Sequence, residues 1–224
     1  MKFEDRGNAG LRLADKLAHM KDAQPIVLAL PRGGVAVGFE ISRALDAPLD
    51  IVLVRKIGVP WQPELALGAV TDGAHPETFI DRDLAATLDI PEDYIREETA
   101  RQIEEIERRR KSYCEGGPAL KVAGRTAIVV DDGIATGATM RVALQAVRRR
   151  GPARLVLAVP VAPPDTFAAL REGADEAVCL HTPVGLGAIG FYYRDFHQMG
   201  DLEVTDLLAR ASCPTESGAA KGAS

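Results

Sequence analysis

The chain has 224 residues, of which 46% are hydrophobic and 26% charged, and a formal net charge of −5. That length suits one sizeable α/β domain with an embellishment, or two small domains, and the composition is that of a soluble globular enzyme. The negative balance argues against a general nucleic-acid binder, and no apolar run is long enough to span a membrane. Cys114, Cys179 and Cys213 are scattered without metal-site spacing, which fits a reducing cytoplasm rather than a disulfide framework. The charged opening residues carry no signal-peptide apolar stretch.

From the start of the chain, Leu11, Leu13, Leu17 and Met20 form a helical stripe over residues 8–20. A short apolar strand at 26–30 closes on Pro31-Arg32-Gly33-Gly34, and 35–45 reads as a helix packed back on the sheet. The next strand, 51–54, runs into Arg55-Lys56. This βαβ order implies a right-handed crossover and a parallel sheet. Residues 57–63 hold Gly58, Pro60, Trp61 and Pro63 and read as a loop. Apolar stretches at 65–70 and 78–80 flank Asp72-Gly73, a β-hairpin pattern. Residues 91–114 form the longest helix candidate, with Glu97/Arg101, Glu104/Arg108 and Glu107/Lys111 at i,i+4. Its Arg108-Arg109-Arg110-Lys111 run invites a nucleic-acid reading, but interleaved glutamates favour a solvated face with cations near the helix C-terminus.

The stretch TAIVVDDGIATGATM, 126–140, carries the most information. Buried-strand residues run straight into Asp131-Asp132, a Gly- and Thr-rich loop follows, and an amphipathic helix spans 140–150, stopped by Gly151. Open α/β sheets bind ligands at the carboxyl ends of their strands. Amides at a helix start can wrap a phosphate, and two aspartates beside them can accept from vicinal hydroxyls. A phosphate beside a diol is a ribose 5-phosphate. Further on, 155–161 and 176–180 are strands, 165–172 is a short helix and 204–211 a closing helix. A Gly-rich connector at 185–190 leads into the aromatic cluster Phe191-Tyr192-Tyr193-Arg194-Asp195-Phe196, and 214–224 is small, polar and expected to be disordered. His19, His75, His181 and His197 share no spacing.

With a strand before and a helix after it, VVDDGIATGAT resembles the signature by which type I phosphoribosyltransferases bind 5-phosphoribosyl 1-pyrophosphate (PRPP). The resemblance implies a doubly wound, mainly parallel α/β sheet flanked by helices, as one domain over 1–212. A β-hairpin and long-helix insertion would occupy about 57–118, a small hood about 181–212, and a tail 213–224. It implies an Mg²⁺-dependent transfer of the phosphoribosyl group from PRPP to a nitrogen heterocycle, with release of pyrophosphate, in nucleotide metabolism or salvage. The alternative is a PRPP- or nucleotide-binding regulator with the same fold and little catalysis. A homodimer is expected, with no membrane or nucleic-acid partner.

The site residues follow from the same resemblance. Asp131 and Asp132 would hold the ribose hydroxyls directly or through Mg²⁺, and Gly133, Ile134, Ala135, Thr136, Gly137, Ala138 and Thr139 would cradle the 5-phosphate. Arg32, Gly33 and Gly34 resemble the pyrophosphate loop, a plain βα turn being the competing reading. Arg55 and Lys56 would face the pyrophosphate, or else are surface charges. Residues 57–79 stand where the family carries a mobile loop that closes over the site and excludes water. Hypoxanthine- and guanine-type members carry an aspartate where this chain has Ala135, so a general acid or base must come from elsewhere. Glu64 is the candidate, against an exposed carboxylate. Phe191 or Tyr192 could stack on the acceptor and Asp195 could sit near the base or Mg²⁺, against simple packing of a C-terminal cap.

Overall fold

The computed structural model describes residues 1–72, 76–114 and 119–212, apart from the side chains of Glu64, Cys114 and Ser212. In chain order these form α1 (Arg6–Leu17), β1 (Ile26–Ala29), α2 (Gly33–Leu45), β2 (Leu49–Ile51), β3 (Val54–Val59), β4 (Gln62–Thr71) and β5 (Glu77–Ile80). There follow α3 (Arg82–Thr87), α4 (Glu92–Cys114), β6 (Thr126–Val130), α5 (Ala138–Arg149), β7 (Arg154–Val161), α6 (Pro164–Arg171), β8 (Glu176–His181) and α7 (Asp201–Ser212). Short 3₁₀ turns occupy Ala18–Ala23 and Ile189–Tyr192.

Five strands form a parallel sheet in the order β2-β1-β6-β7-β8. The run of apolar residues in β6 has a direct cause, because both of its faces are covered. Ile128 and Val130 pack with Val35, Val37 and Ile41 of α2 and Leu13 and Leu17 of α1. Ala127 and Val129, one residue out of phase, pack with Ala143, Leu144 and Val147 of α5 and Leu170 of α6. The crossovers leaving the neighbouring strands β1 and β6 therefore lie on opposite faces. The carboxyl ends of β1 and β6 form the crevice where doubly wound sheets take ligands.

Strands β3, β4 and β5 form a separate antiparallel sheet. Here the sequence expectation needs correction. Arg55 and Lys56 do not follow a strand but lie inside β3, and 57–63 is no open loop but a hairpin turning at Pro60-Trp61. Ile57 and Val59 are buried while Lys56 is exposed, a strand alternation hidden by the nearby prolines. The register shifts between the Val59–Gln62 and Gly58–Ala66 pairings. Pro63 falls in that irregular stretch, where it costs no ladder hydrogen bond. The β4–β5 hairpin forms, and its tip, 73–75, lies outside the described residues, as does 213–224. Helix α3, absent from the sequence reading, is capped by Asp81, whose Oδ1 accepts from the Leu84 amide at 2.9 Å.

The basic run on α4 is also corrected. Its ion pairs join other partners than expected: Glu98 with Arg101 and Glu105 with Arg108 at i,i+3, and Glu105 with Arg109 at i,i+4. Arg110 does not face solvent. It lies on the buried stripe that carries Ile106 and Tyr113, and it donates to Asp50 at 3.0 Å and to Asp72 at 2.7 Å. Arg150, beyond the end of α5, reaches the same Asp72 from the opposite side, with a donor–acceptor distance of 3.2 Å to Oδ1. Asp72 thereby fastens β4 and α4 to the parallel core.

Candidate functional site

The loops after β1 and β6 meet at the crevice. The Leu30 amide donates to the Val130 carbonyl at 2.9 Å, so the two strand ends stay paired up to their last residues. The chain then turns at Pro31-Arg32, a cis peptide, into α2. A Cβ on Gly33 would lie 1.9 Å from Asp132 Oδ2, and one on Gly34 would lie 2.9 Å from the Val130 carbonyl oxygen and 3.2 Å from Asp131 Oδ1. Only glycine lets this loop lie against the aspartate pair.

After the aspartates, the Ile134 amide is fixed by the Val161 carbonyl at 2.8 Å, and Gly137, at φ 77°, turns the chain into α5. A cavity of about 160 Å³ opens there, lined by Asp131 and residues 133–140. The first-turn amides of α5 have no intrahelical acceptor and stand at the positive end of the helix dipole. The cavity is a ready anion site with a carboxylate at its edge.

The two aspartates differ. Burial, and then the charge of Asp132, push the Asp131 carboxyl well above its usual range. Its Oδ1 accepts from the Asp132 amide at 2.8 Å. Asp132 is paired with Arg6, whose Nε donates to its Oδ2 at 2.7 Å, and its carbonyl accepts from the Tyr193 hydroxyl at 2.5 Å. Arg6 in turn donates through Nη1 to the His197 carbonyl at 2.9 Å. Neither Arg6 nor Tyr193 was singled out from sequence. The single signal for Tyr193 was its place in the aromatic cluster.

The sequence model of the family described as the phosphoribosyl transferase domain matches residues 80–193, just over half the chain and including the whole 131–139 loop. The chain belongs to the phosphoribosyltransferase family. Two relatives from Mycobacterium tuberculosis, strains CDC 1551 and H37Rv, are provisionally named phosphoribosyl transferases MT0597 and Rv0571c; each is 44% identical over 93% of this chain. The chain spans about half the length of these curated relatives, 47% of each. The crystal structure of TT1426 from Thermus thermophilus is 42% identical, covers 94% of this chain and 99% of its own, and superposes with a TM-score of 0.82.

Within this phosphoribosyltransferase fold, the expected site residues fall into two groups. Gly33, Gly34 and 131–139 come together as described. Ile189, in the turn before the aromatic cluster, leans over Gly133, 2.6 Å from where a Cβ would sit. Phe191 beside it is 68% exposed, while Tyr192 packs against the His181 ring at 5.4 Å. The Arg32 side chain points to a second cavity, of about 140 Å³, lined by Arg108, Arg109, Ser112, Tyr113 and Asp201, and lies 3.8 Å from Asp201. Arg55 donates to Gln102 of α4 at 3.0 Å, and Lys56 is exposed beside it on β3. The side chain of Glu64 lies outside the described residues. Among the described residues no group of three or more His, Cys, Asp or Glu converges as a metal site.

Asp195 is engaged with His197: its Oδ1 accepts from the His197 amide at 3.0 Å and lies 3.3 Å from that ring's Nδ1. Glu203, 3.0 Å from Nε2, and then Asp195 raise the His197 pKa above its ordinary 6.5. A histidine pKa raised by folding adds stability that is fully present below the unfolded value and fades as pH rises through the folded one. Replacing Glu203 with Gln is expected to bring the His197 midpoint, followed by NMR titration, back toward 6.5. An unchanged midpoint would show that the ring does not use this carboxylate.

Proposed function

We propose that the chain is a phosphoribosyltransferase that takes PRPP and transfers its 5-phosphoribosyl group to a nitrogen heterocycle, releasing pyrophosphate. The observation that carries this is the contact of the Gly33-Gly34 loop with the Asp131–Asp132 pair at the mouth of the anion cavity. That arrangement offers neighbouring places for a phosphate, a diol and a second phosphate group. Amides of 135–139 hold the 5-phosphate, Asp131 and Asp132 accept from the ribose hydroxyls, and the backbone at Gly33 and Gly34 holds the pyrophosphate, which the Arg32 side chain meets on turning in from the second cavity. In the transfer, the C1–oxygen bond to pyrophosphate breaks as the acceptor nitrogen forms its bond to C1 from the opposite face. Positive charge grows on the ribose and negative charge on the leaving group. Arg32, Arg55 and Lys56 would offset the second on turning from where they stand, at the second cavity and on β3 beside Gln102, and the carboxylates favour the first. Phe191, apolar and exposed beside the site, is the surface on which a planar acceptor would stack.

Mg²⁺ fits this donor set. It is commonly held by one or two carboxylates together with substrate phosphate oxygens, not by an all-protein cage. Asp131 and Asp132, adjacent carboxylates at the edge of the anion cavity, are the residues that would hold it. Asp195, engaged with His197, is left out of the set. Held there, it would supply positive charge to offset that of the pyrophosphate.

The test is pyrophosphate release from PRPP and Mg²⁺ across a panel of purines, pyrimidines and pyridines. Release is expected with at least one base. Tight PRPP binding by calorimetry without release for any base would overturn the transfer in favour of a donor-binding regulator.

A further inference from the structure

Arg6 belongs to none of the motifs that the fold brings together, yet it is only 8% exposed and stands where both loops meet. Its guanidinium is held on several sides. Nε binds Asp132 Oδ2 at 2.7 Å, Nη1 binds the His197 carbonyl at 2.9 Å, and the group lies 3.9 Å over the Phe196 ring. Its Nε would be 2.9 Å from a Cβ on Gly33, so the pair is wedged against the loop after β1.

The backbone around it is equally fixed. Asp5 caps α1 through the Asn8 amide at 2.7 Å. The chain beside it is laced to the aromatic segment: Phe3 N to Tyr192 O at 2.8 Å, Arg194 N to Phe3 O at 2.9 Å and Asp195 N to Glu4 O at 2.8 Å. The Phe3 and Tyr193 rings pack against each other at 5.3 Å, tilted by 40°.

An aspartate carboxyl turns about a broad two-fold torsion, so neither oxygen is presented reliably without a partner. A guanidinium locked from both sides removes that freedom. We propose that Arg6 is the positioning residue of the sugar site: it commits Asp132 Oδ2 to itself and leaves Oδ1 as the oxygen that meets the ribose diol. This rests on the ribose-phosphate reading of the cavity. The diol site is then completed only when the segment before α1 and the segment 192–197 are laced together, because Arg6 is placed by both.

Removing a partner that orients a ligand-binding group typically costs about 10–100-fold in affinity or activity. The test compares ribose 5-phosphate with inorganic phosphate, which needs the cradle but not the aspartates, by calorimetry on the full chain. The unmodified protein is expected to prefer ribose 5-phosphate. Arg6→Gln is expected to weaken ribose 5-phosphate about 10–100-fold and to leave phosphate within about two-fold. Arg6→Lys, which keeps the charge but not the fork, should fall between them. A purely structural role would weaken both ligands alike and would overturn the proposal, as would an undiminished preference in Arg6→Gln. Should Arg6→Gln fail to fold, an undiminished preference in Arg6→Lys would overturn it. An unmodified protein with no preference would instead overturn the ribose reading on which the proposal stands.

Discussion

Replacing Asp131 and Asp132 together by asparagine is expected to abolish measurable PRPP binding while leaving the fold intact. Each hydrogen bond to a charged group contributes about 1.5–3 kcal/mol. Losing two amounts to about 3–6 kcal/mol, or about two to four orders of magnitude in Kd. The single variants should separate binding from stability. Asp131 is buried beside another carboxylate, and its folded pKa stands well above the usual range. A carboxyl that holds its proton more tightly when folded costs stability in its charged form, a cost relieved as pH falls through the folded pKa. Asp131→Asn removes that cost, so its Tm should hold or rise even as binding is lost, the trade-off of a site kept for function. Asp132→Asn should lower Tm, because the Arg6 guanidinium then lies buried against a neutral amide. Thermal denaturation beside PRPP calorimetry reads both, and PRPP binding retained by the double variant would remove these residues from the site.

The second large effect is on stability alone. Asp72→Ala is expected to destabilise the protein by about 3–5 kcal/mol, the cost of breaking a buried ion pair from one side. The Asp72 side chain is 1% exposed and accepts from both Arg110 and Arg150, whose side chains are 14% and 16% exposed. Burial raises the Asp72 pKa in spite of the two guanidiniums, so the carboxylate itself gains little net stability from its place. What truncation costs is the solvation that Arg110 and Arg150 gave up to reach it. Asp50 still accepts from Arg110, which limits the loss on that side. Arg148→Ala is the control. Its pair with Asp175 has side chains 41% and 43% exposed, and such surface pairs contribute at most about 1 kcal/mol. Urea denaturation should show a large fall in midpoint with unchanged slope for Asp72→Ala and a small one for Arg148→Ala. Equal shifts would contradict the fastening role of Asp72.

What could be read from sequence divides along physical lines. The Asp131–Thr139 loop was legible because a strand, a turn and a helix start are local events with local residue signals. Its meeting with Gly33 and Gly34 followed from topology, since a parallel sheet brings successive strand ends to one edge. Arg6 was not legible. It stands 126 residues from Asp132, in the first turn of an amphipathic helix, where an arginine is ordinarily solvated. It is buried where Phe3, beside it in sequence, meets Tyr193 from near the other end of the chain. Arg110 was misread for a different reason: in a run of four cations, composition suggested a solvated face, whereas helical spacing from Ile106 and to Tyr113 placed one of the four inward. The Pro60-Trp61 turn reads as part of a loop in sequence because two prolines within four residues obscure the alternation of β3.

The most direct measurement of the central claim is a crystal structure with PRPP and Mg²⁺ bound. The account predicts the 5-phosphate on the amides of 135–139, the ribose hydroxyls at Asp131 and Asp132, and the pyrophosphate at the backbone of 32–34. A ligand seated instead in the open groove between α5 and α6, on Arg141, Arg148 and Arg149, with the aspartate pair untouched, would contradict it.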